Sequence, residues 1–207
     1  MIIIEPFTIT TGLVAPLPRS NIDTDIIIPK EFLKRIERNG FDQFLMYDWR
    51  FDNKGNKKED FVLNREEYAN SSILLTKKNF GIGSSHENAV WALKDFGFKV
   101  IIAESFADIF KINCSKNGIL LVELNERVVD YLFDAESKVD GGLYLKIDLE
   151  KEIITNENSG STIVFNINPH LKTKFLNGWN DIDMTIQSLH QIERYERERP
   201  SYLSPSI

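Results

Sequence analysis

Three short apolar runs, SSILLT (71–76), KVIIAES (99–105) and ILLVEL (119–124), are each followed by a helical pattern that ends at a glycine or a polar cluster. Runs of this length, rich in Ile, Leu and Val and bounded by turn residues, read as buried strands. The segments that follow them, HENAVWALKDFG, FADIFKINCSKNG and NERVVDYLFDAES, carry apolar residues at helical spacing. Ala89, Leu93 and Phe96 share one face of the first, and Phe106, Ile109, Phe110 and Cys114 form one stripe on the second. Gly97 and Gly118 are natural helix stops. Strands and helices alternating at this spacing require parallel strands joined by right-handed crossovers. Residues 71–137 are therefore expected to form a parallel α/β core.

The flanks read differently. MIII is a first strand, and TITTGLVAPL a second that ends at prolines. NIDTDIIIPKEFLKRIERNG reads as an Asx-rich turn, an apolar triplet and a helix from Pro29 to Asn39 that stops at Gly40. Between 41 and 70 the aromatic stretch FDQFLMYDWRF, the polar loop NKGNKKED and a short helical REEYAN mark a segment suited to face a partner. Beyond Gly141, LYLKIDLE, EIITNE and STIVFNI alternate with a period of two, as antiparallel strands do. Helices from Pro169 and from Asp181 close the chain, the last with the charged end ERYERERP. No repeat or low-complexity linker divides residues 1–207, so the expectation is one α/β domain with three layers, β/β/α.

Composition narrows the function. The net charge of −6, with acids and bases interspersed, argues against a broad nucleic-acid surface, which needs clustered Lys and Arg. No apolar run approaches the roughly 20 residues that cross a bilayer, and MIII lacks the basic flank of a signal peptide, so the expected location is cytoplasmic. The single Cys114 excludes an internal disulfide and a self-contained iron–sulfur cluster, and on an apolar stripe it reads as a core residue. His170 and His190 have no second ligand at helical spacing and read as surface or packing residues, leaving no metal site on this chain. Trp49, Trp91 and Trp179 read as core or interface anchors.

Two polar segments carry the chemical signal. In FGIGSSHENA (80–89) a strand, a glycine loop and a helix start converge, which gathers free backbone N–H groups and the positive end of a helix dipole. An anion is favoured there. No Gly-Lys-Ser/Thr follows, so this is no P-loop. Gly81 and Gly83 with Glu104 further on make half of a dinucleotide fingerprint, but His86 holds the third glycine position. A purely structural reading also stands, with Ser84 or Ser85 capping the helix and Glu87 closing a capping box. The second segment, NIDTD (21–25), is no EF-hand, lacking the loop glycine and the closing Glu. Beside the glycine loop, Asp23, Thr24 and Asp25 could supply hydrogen bonds and orient a cation such as Lys30.

Taken in order, NIDTDIIIPKEFL, GFDQFLMYDWRF, DFVLN, NFGIGSSHENAVWALKDFGFKVIIAESFADIF, KNGIL and ERYERERPSYL resemble the small-subunit family of 3-isopropylmalate dehydratase, also called isopropylmalate isomerase. The resemblance covers nearly the whole chain. It implies a swivelling β/β/α domain equivalent to the mobile fourth domain of aconitase. It also implies a large-subunit partner carrying a [4Fe-4S] cluster, with no cofactor bound by this chain, and a small hydroxy-dicarboxylate substrate. The family reaction dehydrates and rehydrates isopropylmalate in leucine biosynthesis, with a small-subunit serine moving the carbon-bound proton. By motif position that serine is Ser84, and Gly83, Ser85, His86, Asp23, Thr24, Asp25 and Lys30 fall on the substrate-binding segments. Lys30 is expected to help neutralise a substrate carboxylate.

The chain departs from the family at one place. Where the family motif reads Gly-Ser-Ser-Arg-Glu-His, this chain has Gly-Ser-Ser-His-Glu-Asn. An arginine fork binds a carboxylate bidentately and is always charged, whereas His86 offers a shorter, single-pronged donor. Loss of such a pair costs a few kcal/mol, roughly a hundredfold in rate. Asn88 cannot exchange a proton as a histidine would. Three readings follow: the family reaction with an adapted His86, a different hydroxyacid, or a partner subunit without turnover. A nucleotide-binding module is the alternative from another class.

Overall fold

The computed structural model describes residues 4–34, 38–83 and 86–199. Seven strands lie in the order β4-β3-β2-β1-β5-β6-β7. They are β1 (Ile9–Leu17), β2 (Ile73–Thr76), β3 (Val100–Ala103), β4 (Leu120–Glu123), β5 (Tyr144–Asp148), β6 (Ile153–Asn156) and β7 (Thr162–Val164). The helices are α1 (Thr24–Ile27), α2 (Tyr47–Arg50), α3 (Glu87–Phe96), α4 (Asp108–Asn117), α5 (Glu126–Ser137), α6 (Pro169–Asn177), α7 (Asp181–Ile186) and α8 (Leu189–Glu198).

Strand β1 joins two kinds of sheet. Its first half, from Ile9 to Leu13, pairs antiparallel with β5, and its second half, from Val14 to Leu17, pairs parallel with β2. Side-chain alternation then builds the layers. Val14, Ile73, Leu75, Val100, Ile102, Leu120 and Val122 face a core shared with Leu145, Ile147 and Ile154 of the antiparallel half and with Val129 and Leu132 of α5. Ala15, Leu17, Leu74, Ile101 and Ala103 face the opposite way, into Ala89, Val90 and Leu93 of α3 and Phe110 and Cys114 of α4. The parallel sheet is thus the middle of three layers, with the antiparallel strands and α5 on one side and α3 and α4 on the other.

Several local expectations change. Residues 1–3, most of the expected first strand, lie outside the described residues, and Ile4 is buried without belonging to a strand. The helix expected from Pro29 is, in its described part, a 3-10 turn over Lys30–Lys34, because a separate single turn, α1, precedes it. Asp23 starts that turn early by accepting from Ile26 N at 2.8 Å. REEYAN holds a 3-10 turn at Glu66–Tyr68, and the helix from Asp181 breaks into α7 and α8 around Ser188. Ile109 leaves the expected stripe and is 56% exposed, while Phe106, Phe110 and Cys114, four residues apart, take the buried face. Phe80, Phe106 and Phe110 pack there with ring centroids 5.4 to 6.4 Å apart.

Segment 41–70 is tied to α3 by polar contacts. Arg50 is buried, donating to Asn64 Oδ1 at 3.1 Å and to the Asp42 carbonyl at 2.7 Å. Burial lowers its pKa, yet a guanidinium keeps its charge in proteins. Phe41 N donates to Asp95 Oδ2 at 3.0 Å, which fastens this segment to the exposed side of α3.

Asn117, at the end of α4, holds α3 in place. Its Oδ1 accepts from Trp91 Nε1 at 3.2 Å, its Nδ2 donates to Glu87 Oε1 at 2.9 Å, and its carbonyl accepts from Lys94 Nζ at 2.7 Å. Glu87, Trp91 and Lys94 lie four and three residues apart, so one buried amide grips one face of α3 from its first turn to its last. Glu87 commits Oε1 to this contact, while Ser84, the other half of the capping box considered above, lies outside the described residues.

Two outcomes follow from this packing. Asn117→Ala should lose about 1–3 kcal/mol of stability by stranding the Trp91 and Glu87 groups, read as a lower denaturation midpoint. Cys114 is fully buried and its thiol is pushed well above the usual range by that burial, so a maleimide should label it only after denaturant unfolds the chain.

Candidate functional site

The loops that leave β1, β2 and β3 all lie beyond the carboxyl ends of parallel strands, where open α/β sheets bind their ligands. Backbone hydrogen bonds join them edge to edge. Gly81 N donates to the Ile22 carbonyl at 2.8 Å, and Thr24 N donates to the Ile82 carbonyl at 2.9 Å, a two-residue stretch of parallel pairing. On the other side, Phe80 N donates to the Ser105 carbonyl and Ala107 N to the Phe80 carbonyl, both at 3.1 Å. Asn21 and Asn79 adopt left-handed backbone at φ 57° and 58°, and Asn79 Nδ2 donates to Asn21 Oδ1 at 2.8 Å. Asparagine tolerates that conformation better than most residues, so the pair turns both loops together.

Two glycines let the central loop fit. Gly81, at φ +77°, lies against the Phe110 ring, which a Cβ would penetrate. Gly83, at φ +95°, sits where a Cβ would be 3.5 Å from Asp23 Cβ and 3.6 Å from Thr24 Oγ1. The NIDTD segment and the glycine loop therefore meet directly, a proximity that sequence spacing leaves open.

Around this contact the polar groups converge. Asp23 caps α1, so its carboxylate is committed to the backbone. Asp25 Oδ2 lies 2.9 Å from Lys30 Nζ. That hydrogen bond and the carboxylate's charge hold the exposed Lys30 ammonium above the usual lysine range, so it stays charged at working pH. Asp25 Oδ1 faces His86 Nδ1 at 4.0 Å. Among the described residues, Thr24 Oγ1, Asp25 Oδ1 and His86 Nδ1 are buried atoms with no hydrogen-bond partner. Buried polar atoms normally have partners, so three orphans in one place mark a site with unused bonding capacity. His86 occupies the N-cap of α3 with no side-chain capping bond, which leaves its ring free of that structural duty.

Six of the eight residues singled out by sequence, Asp23, Thr24, Asp25, Lys30, Gly83 and His86, belong to this cluster. Ser84 and Ser85 lie outside the described residues. The N-cap position of α3 is held by His86, whose side chain makes no capping bond. Asn21, Asn79 and Asn117 escaped the sequence reading. For Asn117 the one local signal is its place before Gly118, which reads as an ordinary helix end. His170 and His190 are exposed, Trp49 is partly buried against Phe61, and Trp91 bonds to Asn117.

The chain's own donors do not fit an iron–sulfur cluster, since its one thiol is buried and held protonated while cluster ligation takes several thiolates. No described helix is long and apolar enough to cross a membrane.

Comparison with known proteins agrees with this architecture. The aconitase C-terminal domain family matches residues 4–127. The 3-isopropylmalate dehydratase small subunit of Brevibacillus brevis is 50% identical over 94% of this chain and 100% of its own length. That of Bacillus licheniformis is 48% identical over 96% of this chain and 98% of its own. The crystal structure of 3-isopropylmalate dehydratase from Methanocaldococcus jannaschii superimposes with a TM-score of 0.63 at 27% identity, covering 90% of this chain and 99% of that one. With a family match over more than half its length and near full-length relatives, this chain belongs to the 3-isopropylmalate dehydratase small-subunit family, built on the aconitase C-terminal domain.

Proposed function

We propose that this chain is the small subunit of a two-chain hydro-lyase that interconverts 2-isopropylmalate and 3-isopropylmalate by dehydration and rehydration in leucine biosynthesis. The observation that carries this reading is the junction of segment 21–30 with the glycine loop, which gathers an ammonium, a helix N-terminus and orphaned polar atoms at the ends of parallel strands. A small dicarboxylate is the ligand such a site suits.

Each residue then has a task. Lys30 keeps its charge and uses one of its three donors on Asp25, leaving two for a substrate carboxylate. Backbone N–H groups at the start of α3 carry partial positive charge toward the same anion. Ser84, which follows Gly83 in the chain, exchanges the carbon-bound proton, and Ser85 with Thr24 supplies hydroxyl contacts to substrate. A [4Fe-4S] cluster on the large subunit supplies Lewis acidity for the leaving hydroxyl. Segment 41–70 of this single domain faces that subunit, with half-buried Phe44 stacked on Phe32 at a centroid spacing of 4.2 Å and Tyr47 tilted against the same ring at 5.1 Å. The pair works in the cytoplasm.

Co-expression with the large subunit from the same source tests this reading. The two chains together should turn over 2-isopropylmalate, and neither should do so alone. Ser84→Ala should lower kcat by about a hundredfold or more, the usual scale of a lost acid–base group. Lys30→Met should raise KM roughly tenfold with a smaller effect on kcat, since a charged hydrogen bond is worth about 1.5–3 kcal/mol. Full activity in Ser84→Ala would remove the serine from the mechanism. A much better turnover of another hydroxyacid would reassign the substrate.

A further inference from the structure

The histidine that stands in the family's arginine position has a neighbour suited to it. Asp25 Oδ1 and His86 Nδ1 are both buried, both without a hydrogen-bond partner among the described residues, and 4.0 Å apart. The other carboxylate oxygen is occupied by Lys30, so Oδ1 is the one free acceptor of Asp25. Asp23 is committed to the start of α1, and Glu87, next to His86, is turned away to Asn117. A gap of 4.0 Å is longer than a hydrogen bond, but such contacts commonly close when a ligand excludes water.

We propose that Asp25 is the positioning residue for His86, and that the two together replace an arginine as the carboxylate site. This rests on the reading of the cluster as a hydroxyacid site. Asp25 accepts Nδ1–H and so fixes the ring with Nε2 directed to substrate, as carboxylates do for functional imidazoles elsewhere. A ring that gives Nδ1–H to Asp25 and also donates Nε2–H to a carboxylate carries a full positive charge. When the ring is neutral beforehand, binding a substrate anion through His86 takes up a proton from solvent, which goes to Nε2. An arginine needs no such proton. The consequence is a substrate affinity that falls as pH rises, with the chemical step much less affected.

The test uses the complex of the full chain with its large subunit and 2-isopropylmalate. In wild type KM should climb toward alkaline pH faster than kcat changes, and in His86→Arg the climb should vanish. Asp25→Asn should raise KM about tenfold or more, but far less when His86 is already Gln. Lys30 is present in both arms of that double-mutant cycle, so its loss of a partner cancels. An equal penalty for Asp25→Asn in the two backgrounds, or a wild-type KM that is flat with pH, overturns the proposal.

A second measurement does not depend on turnover. In nitrogen-15 spectra of the isolated full chain at alkaline pH, His86 should carry its proton on Nδ1, and Asp25→Asn should return it to Nε2. A wild-type Nε2–H tautomer overturns the pairing whatever the enzyme assay gives. An inactive complex with the Nδ1–H tautomer intact would instead count against the isopropylmalate reading.

Discussion

The short backbone pairing between Ile22 and Gly81 and between Thr24 and Ile82 holds the site together. Two loops far apart in sequence become adjacent there through ordinary amide hydrogen bonds of 2.8 and 2.9 Å. Each such bond adds about 1 kcal/mol net, so the pairing survives because the strands beneath it are already aligned. Strand β1 lies beside β2 in parallel register from Val14 to Leu17, which delivers both loops to the same edge. The functional side chains inherit their positions from that alignment.

The core explains why the alignment is stable. Each face of the parallel sheet is covered, so the β2 and β3 residues are buried whichever way they point. Full burial of one such side chain contributes about 1.5–3 kcal/mol, more than either of those backbone hydrogen bonds. The helical layer adds fixed placement. The Phe110 ring fills the space beneath Gly81, and Asn117 grips α3 along one face, so the glycine loop is bounded by rigid elements on both sides. The described part of the loop, from Phe80 to Gly83, is therefore fixed by its neighbours on both sides.

Against this rigid setting the polar cluster is under-satisfied. Thr24, Asp25 and His86 carry buried atoms that lack partners among the described residues, an arrangement costly in a purely structural region. The cost is reasonable where a ligand completes the bonds. The pairing proposed for Asp25 and His86 would distinguish this chain from one that simply lost the arginine.

The sequence by itself determined much of the fold and the type of site. Apolar tetrads separated by glycine-stopped helical patterns specify a parallel sheet, and period-two segments after Gly141 specify the antiparallel one, because both patterns are local. The glycine loop at a helix start likewise announces an anion site without any long-range information. Only the tertiary structure decided which groups share that site. Whether Asp25 meets His86 or Lys30, whether Glu87 and Trp91 find Asn117, and whether Ile109 or Phe110 faces inward depend on how crossovers place distant segments. Periodicity records which face of an element is apolar, but carries no address for the element it meets. Those addresses are set when the sheet assembles, by the combined burial of many side chains, and this is why the chemistry of the site became legible only in the folded chain.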